Sequence, residues 1–281
     1  MGAENPQFAV PGADGTSLAG ESAGAGQAIV LLHGLTATRR YVVMGSRLLE
    51  RSGMRVISYD ARGHGRSGAA PTRGAYDYGD LAGDVESVMD AMGVDRAILA
   101  GTSMGAHTAL RLALSNPARV SGLALITPAY DPDRWGGAQE LAGWDALAAG
   151  LREGGVEGFV AAYDLEGLPE AWREVVGRVL RQRLSAHEHP LAVADALEAV
   201  PRSRPFESLE ELATVTVPTL VVGSRDEADP GHPLRVAELY ARRIAGARLA
   251  VEQEGSPIAW QGGQLSRLLL ELGERSAAAA A

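Results

Sequence analysis

Five short, largely apolar runs recur along this chain, spaced widely enough for a helix to fit between neighbours. They are Ala28–Leu32, Arg55–Tyr59, Ala97–Ala100, Val120–Ile126 and Val217–Val222. Near-continuous apolar runs suit strands covered on both faces, and strands so separated pair in parallel through helical crossovers. Arg248–Val251 reads as another strand, and Phe8–Val10 and Ser17–Gly20 as short edge strands around the Pro11–Gly15 turn. Between the runs, Leu81, Val85, Val88, Met89 and Met92 recur at helical spacing within Tyr78–Met92, opposite Asp80, Asp84, Glu86 and Asp90. Such a helix covers a sheet with its apolar face and turns its carboxylates to water. Ser103–Ser115 is a second helix, stopped by Asn116-Pro117; Pro233–Arg243 and Gln264–Leu272 complete the pattern. The fold class that follows is α/β, a mostly parallel central sheet flanked by helices on both faces.

The rhythm breaks between Tyr130 and Pro205, a stretch rich in Ala, Leu, Trp and Glu with several helical segments and no convincing strand. Its place after the fourth core strand predicts a helical lid, residues 130–205, inserted into a core made of residues 1–129 and 206–276. Residues 277–281 read as a flexible tail. Trp135, Trp144, Phe159, Trp172 and His187 lie in the insertion, either packing it to the core or lining a cavity beneath it.

Composition removes whole classes of function. A formal net charge of -9 with no concentrated basic surface argues against a nucleic-acid partner. No apolar stretch has bilayer length and no signal-like segment opens the chain, so a cytoplasmic protein without a membrane partner is expected. The absence of cysteine excludes disulfides, thiolate nucleophiles and cysteine-based metal sites. The six histidines form no closely spaced zinc signature, and the glycine clusters lack dinucleotide-binding spacing, so no cofactor or metal is expected.

The strongest local motif is Gly101-Thr102-Ser103-Met104-Gly105, set between the strand Ala97–Ala100 and a helix. Small residues permit a tight turn that projects the Ser103 hydroxyl, and the helix start offers unpaired N–H groups. His33-Gly34-Leu35 follows another buried strand. A loop there brings the Leu35 N–H beside that of Met104, a pair suited to holding an oxyanion above Ser103. His33 is read as structural, and His107, one helical turn beyond Ser103, as a packing or hydrogen-bonding residue.

With these segments the chain resembles the α/β-hydrolase superfamily, especially its lidded esterase, lactonase and carbon–carbon-bond hydrolase branches. The resemblance is carried in family order by His33-Gly34, Asp60-Ala61-Arg62-Gly63-His64-Gly65-Arg66-Ser67, Gly101–Gly105 and Val221-Val222-Gly223-Ser224-Arg225-Asp226. It implies Ser103 as nucleophile, Leu35 and Met104 as oxyanion hole, Asp226 as triad acid and a loop-locking role for Asp60, Arg62 and His64. Asp131 is the alternative acid position, and Asp229 reads as a surface residue.

One expected residue is missing. After strand Arg248–Val251 the family presents a histidine, whereas this chain reads Glu252-Gln253-Glu254-Gly255-Ser256-Pro257 and has no histidine after His232. Ser256 occupies that position, and a hydroxyl cannot supply imidazole's near-neutral proton transfer. Three explanations stand. Ser256 is a replacement that inactivates the enzyme; or another base serves, with His232 the first candidate and, behind it, Glu252 and Glu254, each read first as a solvated surface residue, and His187 and His189. The third is a fold that uses Ser103 without an acyl-enzyme, as a nonhydrolytic enzyme or a silent small-ligand binder. The leading expectation is a hydrolase of a small or medium apolar ester or lactone working through Ser103, with His232 the provisional base.

Overall fold

The architecture is that of a computed structural model, which describes residues 5–225, 230–253 and 255–280. Alternation within the apolar runs explains how the sheet is buried. Val30 and Leu32 of β3 (Ala28–Leu32), Leu99 of β5 (Ala97–Thr102) and Val221 of β7 (Thr219–Val222) enter one apolar cluster. Ile29, Leu31, Ile98, Leu220 and Val222 enter the other. Successive side chains point to opposite faces of a strand, so a strand covered on both sides must be apolar throughout.

Eight strands form one sheet in the order β1-β2-β4-β3-β5-β6-β7-β8. The remaining strands are β1 (Gln7–Pro11), β2 (Ser17–Ala23), β4 (Arg55–Tyr59), β6 (Val120–Ile126) and β8 (Arg248–Ala250). β2 runs antiparallel to β1 and β4, and every pairing from β4 through β8 is parallel. One face is covered by α2 (Tyr78–Ala91), α3 (Met104–Ser115) and α7 (Leu234–Arg243), through residues such as Val85, Leu110 and Tyr240. The other is covered by the short α1 (Leu48–Arg51) and by α8 (Gly262–Ala280), through Leu49, Leu265 and Leu269. Asp77 begins α2 with a capping box, accepting from the Asp80 N–H at 2.8 Å.

Most boundaries shift by a few residues from the sequence reading, and two of the differences have a clear physical reason. β7 starts at Thr219 rather than Val217 because Pro218 has no N–H to donate to a ladder. Residues 277–280 of the stretch read as a flexible tail continue a helix, and Ser276 just before them is buried against Gly122 of β6. A run of alanines has the highest helix propensity, so an already docked helix simply continues into it.

Between β6 and β7 stand α4 (Ala138–Ala162), bent at Gly155, α5 (Glu170–Leu184) and α6 (Pro190–Ala199). They share their own apolar cluster, which includes Leu151, Phe159, Leu180 and Val193. His187, in the α5–α6 turn, ties this insertion to the core. Its Nε2 donates to the Thr36 carbonyl at 3.0 Å and its Nδ1 accepts from the Gly65 N–H at 2.8 Å. The Glu188 N–H donates to the Gly65 carbonyl at 2.8 Å, and Trp172 meets Trp260 edge-on at 5.8 Å. Thr36 and Gly65 lie beyond the ends of β3 and β4, so the insertion sits over the C-terminal rim of the sheet. Among the described residues no helix is long and apolar enough to cross a membrane.

Candidate active site

Parallel strands deliver their exits to one rim, where an open α/β sheet places its ligands. At the end of β5, Ser103 turns the chain into α3 with φ 52° and ψ −114°, a left-handed conformation that is strained for a side chain other than glycine. The turn is held on both sides. The Ser103 N–H donates to the Ile126 carbonyl at 2.9 Å, and the Ser103 carbonyl accepts from the His107 N–H at 3.1 Å.

The flanking glycines are required by contact. A Cβ on Gly101 would lie 2.1 Å from the Gly105 carbonyl carbon, and one on Gly105 would lie 2.2 Å from the Leu32 carbonyl oxygen. Helix and strand therefore approach until backbone touches backbone. Gly34 also comes close, since a Cβ on it would lie 3.4 Å from the Ser103 Cβ, and this brings the loop carrying Leu35 beside the elbow. Met104 is the first residue of α3, so its N–H has no acceptor within the helix.

The imidazole at the elbow is His232. Its Nε2 stands 2.7 Å from Ser103 Oγ, a hydrogen bond that spans 129 residues of sequence. His232 is half-buried and precedes α7, on the chain leaving β7. β7 lies two places from β5 in the sheet and β8 three. A base carried beyond β7 thus starts about 4.8 Å, one strand spacing, nearer the elbow than one carried beyond β8.

The other sequence candidates separate clearly. Ser256 is exposed, and its carbonyl accepts from Gln261 Nε2 at 2.6 Å; it is not among the residues brought to the elbow. Asp226, Asp229 and Glu254 lie outside the described residues. Asp131 is buried and engaged, with Oδ2 accepting from Arg235 at 2.8 Å and Oδ1 from the Asp133 N–H at 3.2 Å. Glu252, expected at the surface, is instead buried; its carboxylate accepts from Ser224 Oγ at 3.0 Å and from the Arg225 N–H. The turn out of β8 points it inward, where it pins the segment leaving β7.

The remaining histidines are committed elsewhere. His33 Nδ1 donates to the Gly34 carbonyl at 2.8 Å while Nε2 accepts from the Ala61 N–H at 2.9 Å. Burial pushes this imidazole down to about 4. His107 Nδ1 pairs with the Tyr78 hydroxyl at 3.1 Å, and Nε2 accepts from the Ala129 and Tyr130 N–H groups, both at 3.2 Å. Burial, and to a lesser degree His232, pushes it down to about 3. His64 Nδ1 donates to the Arg62 carbonyl at 2.9 Å, and burial keeps this ring well below the ordinary imidazole range. His187 is lowered by burial too, and His189 is exposed at the head of α6.

The Asp60–Ser67 segment locks itself as its composition suggests. Asp60 accepts from the Arg39 N–H at 2.9 Å and the Arg66 N–H at 3.0 Å, and Arg62 grips Asp84 with two bonds of 2.7 Å. Above Ser103 and His232 opens a cavity of about 800 Å³, bounded by the core rim and the inserted helices. Leu35, Met104, Tyr78, His107 and Trp260 line it from the core, and Trp135, Trp144 and Phe159 from the insertion. Sequence reasoning offered no signal for Tyr41, Tyr78 or Trp260 here, because their arrival depends on how distant loops cross the rim.

Comparison with known proteins agrees with this architecture. The family described as alpha/beta hydrolase fold matches residues 27–152. A protein designated a carbamate hydrolase, RutD, in Variovorax paradoxus strain S110 is 34% identical over 204 residues, covering 72% of this chain and 75% of the relative. Among solved structures, a thermophilic esterase from Thermogutta terrifontis superposes with a TM-score of 0.80 at 26% identity, over 98% of this chain and 99% of that one. The enol-lactonase of Burkholderia xenovorans LB400 gives 0.76 at 25% identity, over 96% of this chain and 100% of the other.

Proposed function

This chain belongs to the α/β-hydrolase family, and from that premise we propose that it hydrolyses apolar carboxylic esters or lactones through Ser103, with His232 as its general base. The observation that carries the reading is the 2.7 Å contact between Ser103 Oγ and His232 Nε2. General-base catalysis needs an imidazole within hydrogen-bond reach of the proton it removes, and this distance meets that requirement.

In the proposed reaction Ser103 Oγ attacks the substrate carbonyl carbon as its proton passes to His232 Nε2. Negative charge gathers on the carbonyl oxygen, and the Leu35 and Met104 N–H groups are the proposed donors that receive it. Collapse of the tetrahedral species expels the alcohol, which takes the proton back from His232. Water then attacks the acyl-Ser103 ester by the same route, and the acid is released with free Ser103 restored. Asp226, on the same connection between β7 and α7, is the proposed acid that orients His232 and balances its charge in the transition state. The helical insertion serves as a lid, which strengthens these interactions by excluding water.

A fluorophosphonate probe tests the nucleophile. The parent protein should label stoichiometrically and lose esterase activity in step, while Ser103→Ala should neither label nor turn over a p-nitrophenyl ester. Full labelling of the folded Ser103→Ala protein would place the nucleophile elsewhere.

A further inference from the structure

Aromatic side chains are scarce in this chain, 5% of residues, comprising four Trp, seven Tyr and three Phe. Their distribution is uneven. Tyr41, Tyr78 and Trp260 of the core, and Trp135, Trp144, Phe159 and Tyr163 of the insertion, line the cavity above Ser103. One cavity thus takes three of the four tryptophans. Elsewhere the sheet is packed mostly by Val, Leu, Ile and Ala, with Tyr59, Tyr130, Phe206 and Tyr240 on one face; the aliphatic residues would enclose an aliphatic chain equally well.

The rings below the cavity differ from those within it. Phe206 packs edge-on against Tyr130 at 5.0 Å and lies 5.8 Å from Tyr240, and all three are buried. In the cavity, Tyr41, Trp135, Trp144, Tyr163 and Trp260 are only half-buried. Trp144 makes no ring–ring contact among the described residues. At about 800 Å³ the cavity also lies in the upper part of the range for small-molecule sites, roughly 300–1,000 Å³. An acetyl-sized substrate would leave most of it empty.

We infer that the substrate carries a planar aromatic group of bicyclic size, held against Trp144 and the neighbouring rings while its carbonyl lies at Ser103. Aromatic faces and edges attract one another through their quadrupoles, beyond the area they bury. A flat ring system therefore gains in this cavity what a saturated group of the same carbon skeleton does not. The inference rests on the hydrolase reading only for the position of the carbonyl.

The test uses the full chain and matched pairs of probes. Two ketones, 5-(2-naphthyl)pentan-2-one and its decahydronaphthyl counterpart, are titrated by calorimetry. The p-nitrophenyl esters of 3-(2-naphthyl)propanoic acid and its decahydro analogue, which share carbonyl and leaving group, are compared by initial rate. The naphthyl ketone should bind about tenfold more tightly, the ratio produced by about 1.4 kcal/mol of ring–ring attraction. In Trp144→Leu that ratio should fall to about threefold or less, with the decahydronaphthyl ketone little changed. Equal affinity for the two ketones, or binding of neither, overturns the inference. A naphthyl preference with neither ester hydrolysed sustains the ligand class and defeats the serine-hydrolase reading. Hydrolysis of both esters at equal efficiency does the reverse.

Discussion

Replacing His232 by alanine removes the imidazole from a hydroxyl 2.7 Å away, and no other described residue stands ready to substitute. His33, His64, His107 and His187 each hold hydrogen bonds to backbone or to Tyr78, and His189 is exposed. Ser256 is exposed as well. A positioned general base contributes about 10²–10⁴ in rate, which at 1.36 kcal/mol per decade corresponds to about 3–5.5 kcal/mol of barrier. His232→Ala should therefore lower kcat for p-nitrophenyl butyrate by at least about a hundredfold, with KM little altered because the apolar walls remain. The proposed oxyanion donors at Leu35 and Met104 would sustain a residual rate. His232 is half-buried, so the midpoint of thermal unfolding should barely move, which separates lost catalysis from lost fold. The acid limb that an imidazole base imposes on kcat/KM should vanish from the residual activity. Ser256→His, placing an imidazole on an exposed turn, should raise the parent rate by no more than a few-fold. A His232→Ala protein within threefold of the parent, or a hundredfold gain in Ser256→His, would refute the assignment of the base.

Three further outcomes follow from packing and charge. Gly105→Ala forces a Cβ to 2.2 Å from the Leu32 carbonyl, a backbone atom unable to move aside. It should destabilise by about 3 kcal/mol or more, read as a lowered urea midpoint. Asp84→Ala leaves Arg62 buried without its two 2.7 Å partners, though Asp14 still holds it at 2.9 Å. The loss should fall near the lower end of the range for broken buried pairs, about 3 kcal/mol, by the same measurement. Acid should begin to destabilise the fold in the range where free imidazole protonates. His33 and His107 are held down to about 4 and about 3, so below about pH 6.5 the unfolded chain takes up protons that the folded one refuses. Their contribution is whole above that pH and drains by about 1.4 kcal/mol per unit for each ring as pH falls toward 4. Urea midpoints that stay flat from pH 7 to pH 5 would contradict neutral burial of these two side chains.

Much of the architecture was legible because its determinants are local. β3, β4 and β6 match their apolar runs residue for residue, since strands buried on both faces read as nearly continuous apolar stretches, here interrupted inside the strands only by Ser58 and Ser121. The elbow was equally plain, because Gly101 answers a clash with Gly105 inside the same turn, although Gly105 itself is required by the distant Leu32 carbonyl. Glu252 was misread, since nothing in its neighbours along the chain reveals that Ser224 and the Arg225 N–H converge on it.

The chain itself determined that a strained serine would stand at the end of a parallel strand, and that the customary late histidine would be missing. Which imidazole reaches that serine was decided only in three dimensions. Parallel strands gather all their exits at one rim, so residues 129 positions apart become neighbours through the order of β5, β6 and β7. The same convergence of distant loops assembled the aromatic cavity. A sequence lists side chains along one dimension, whereas a hydrogen bond or a ring contact depends on distances that the sheet and its crossovers set.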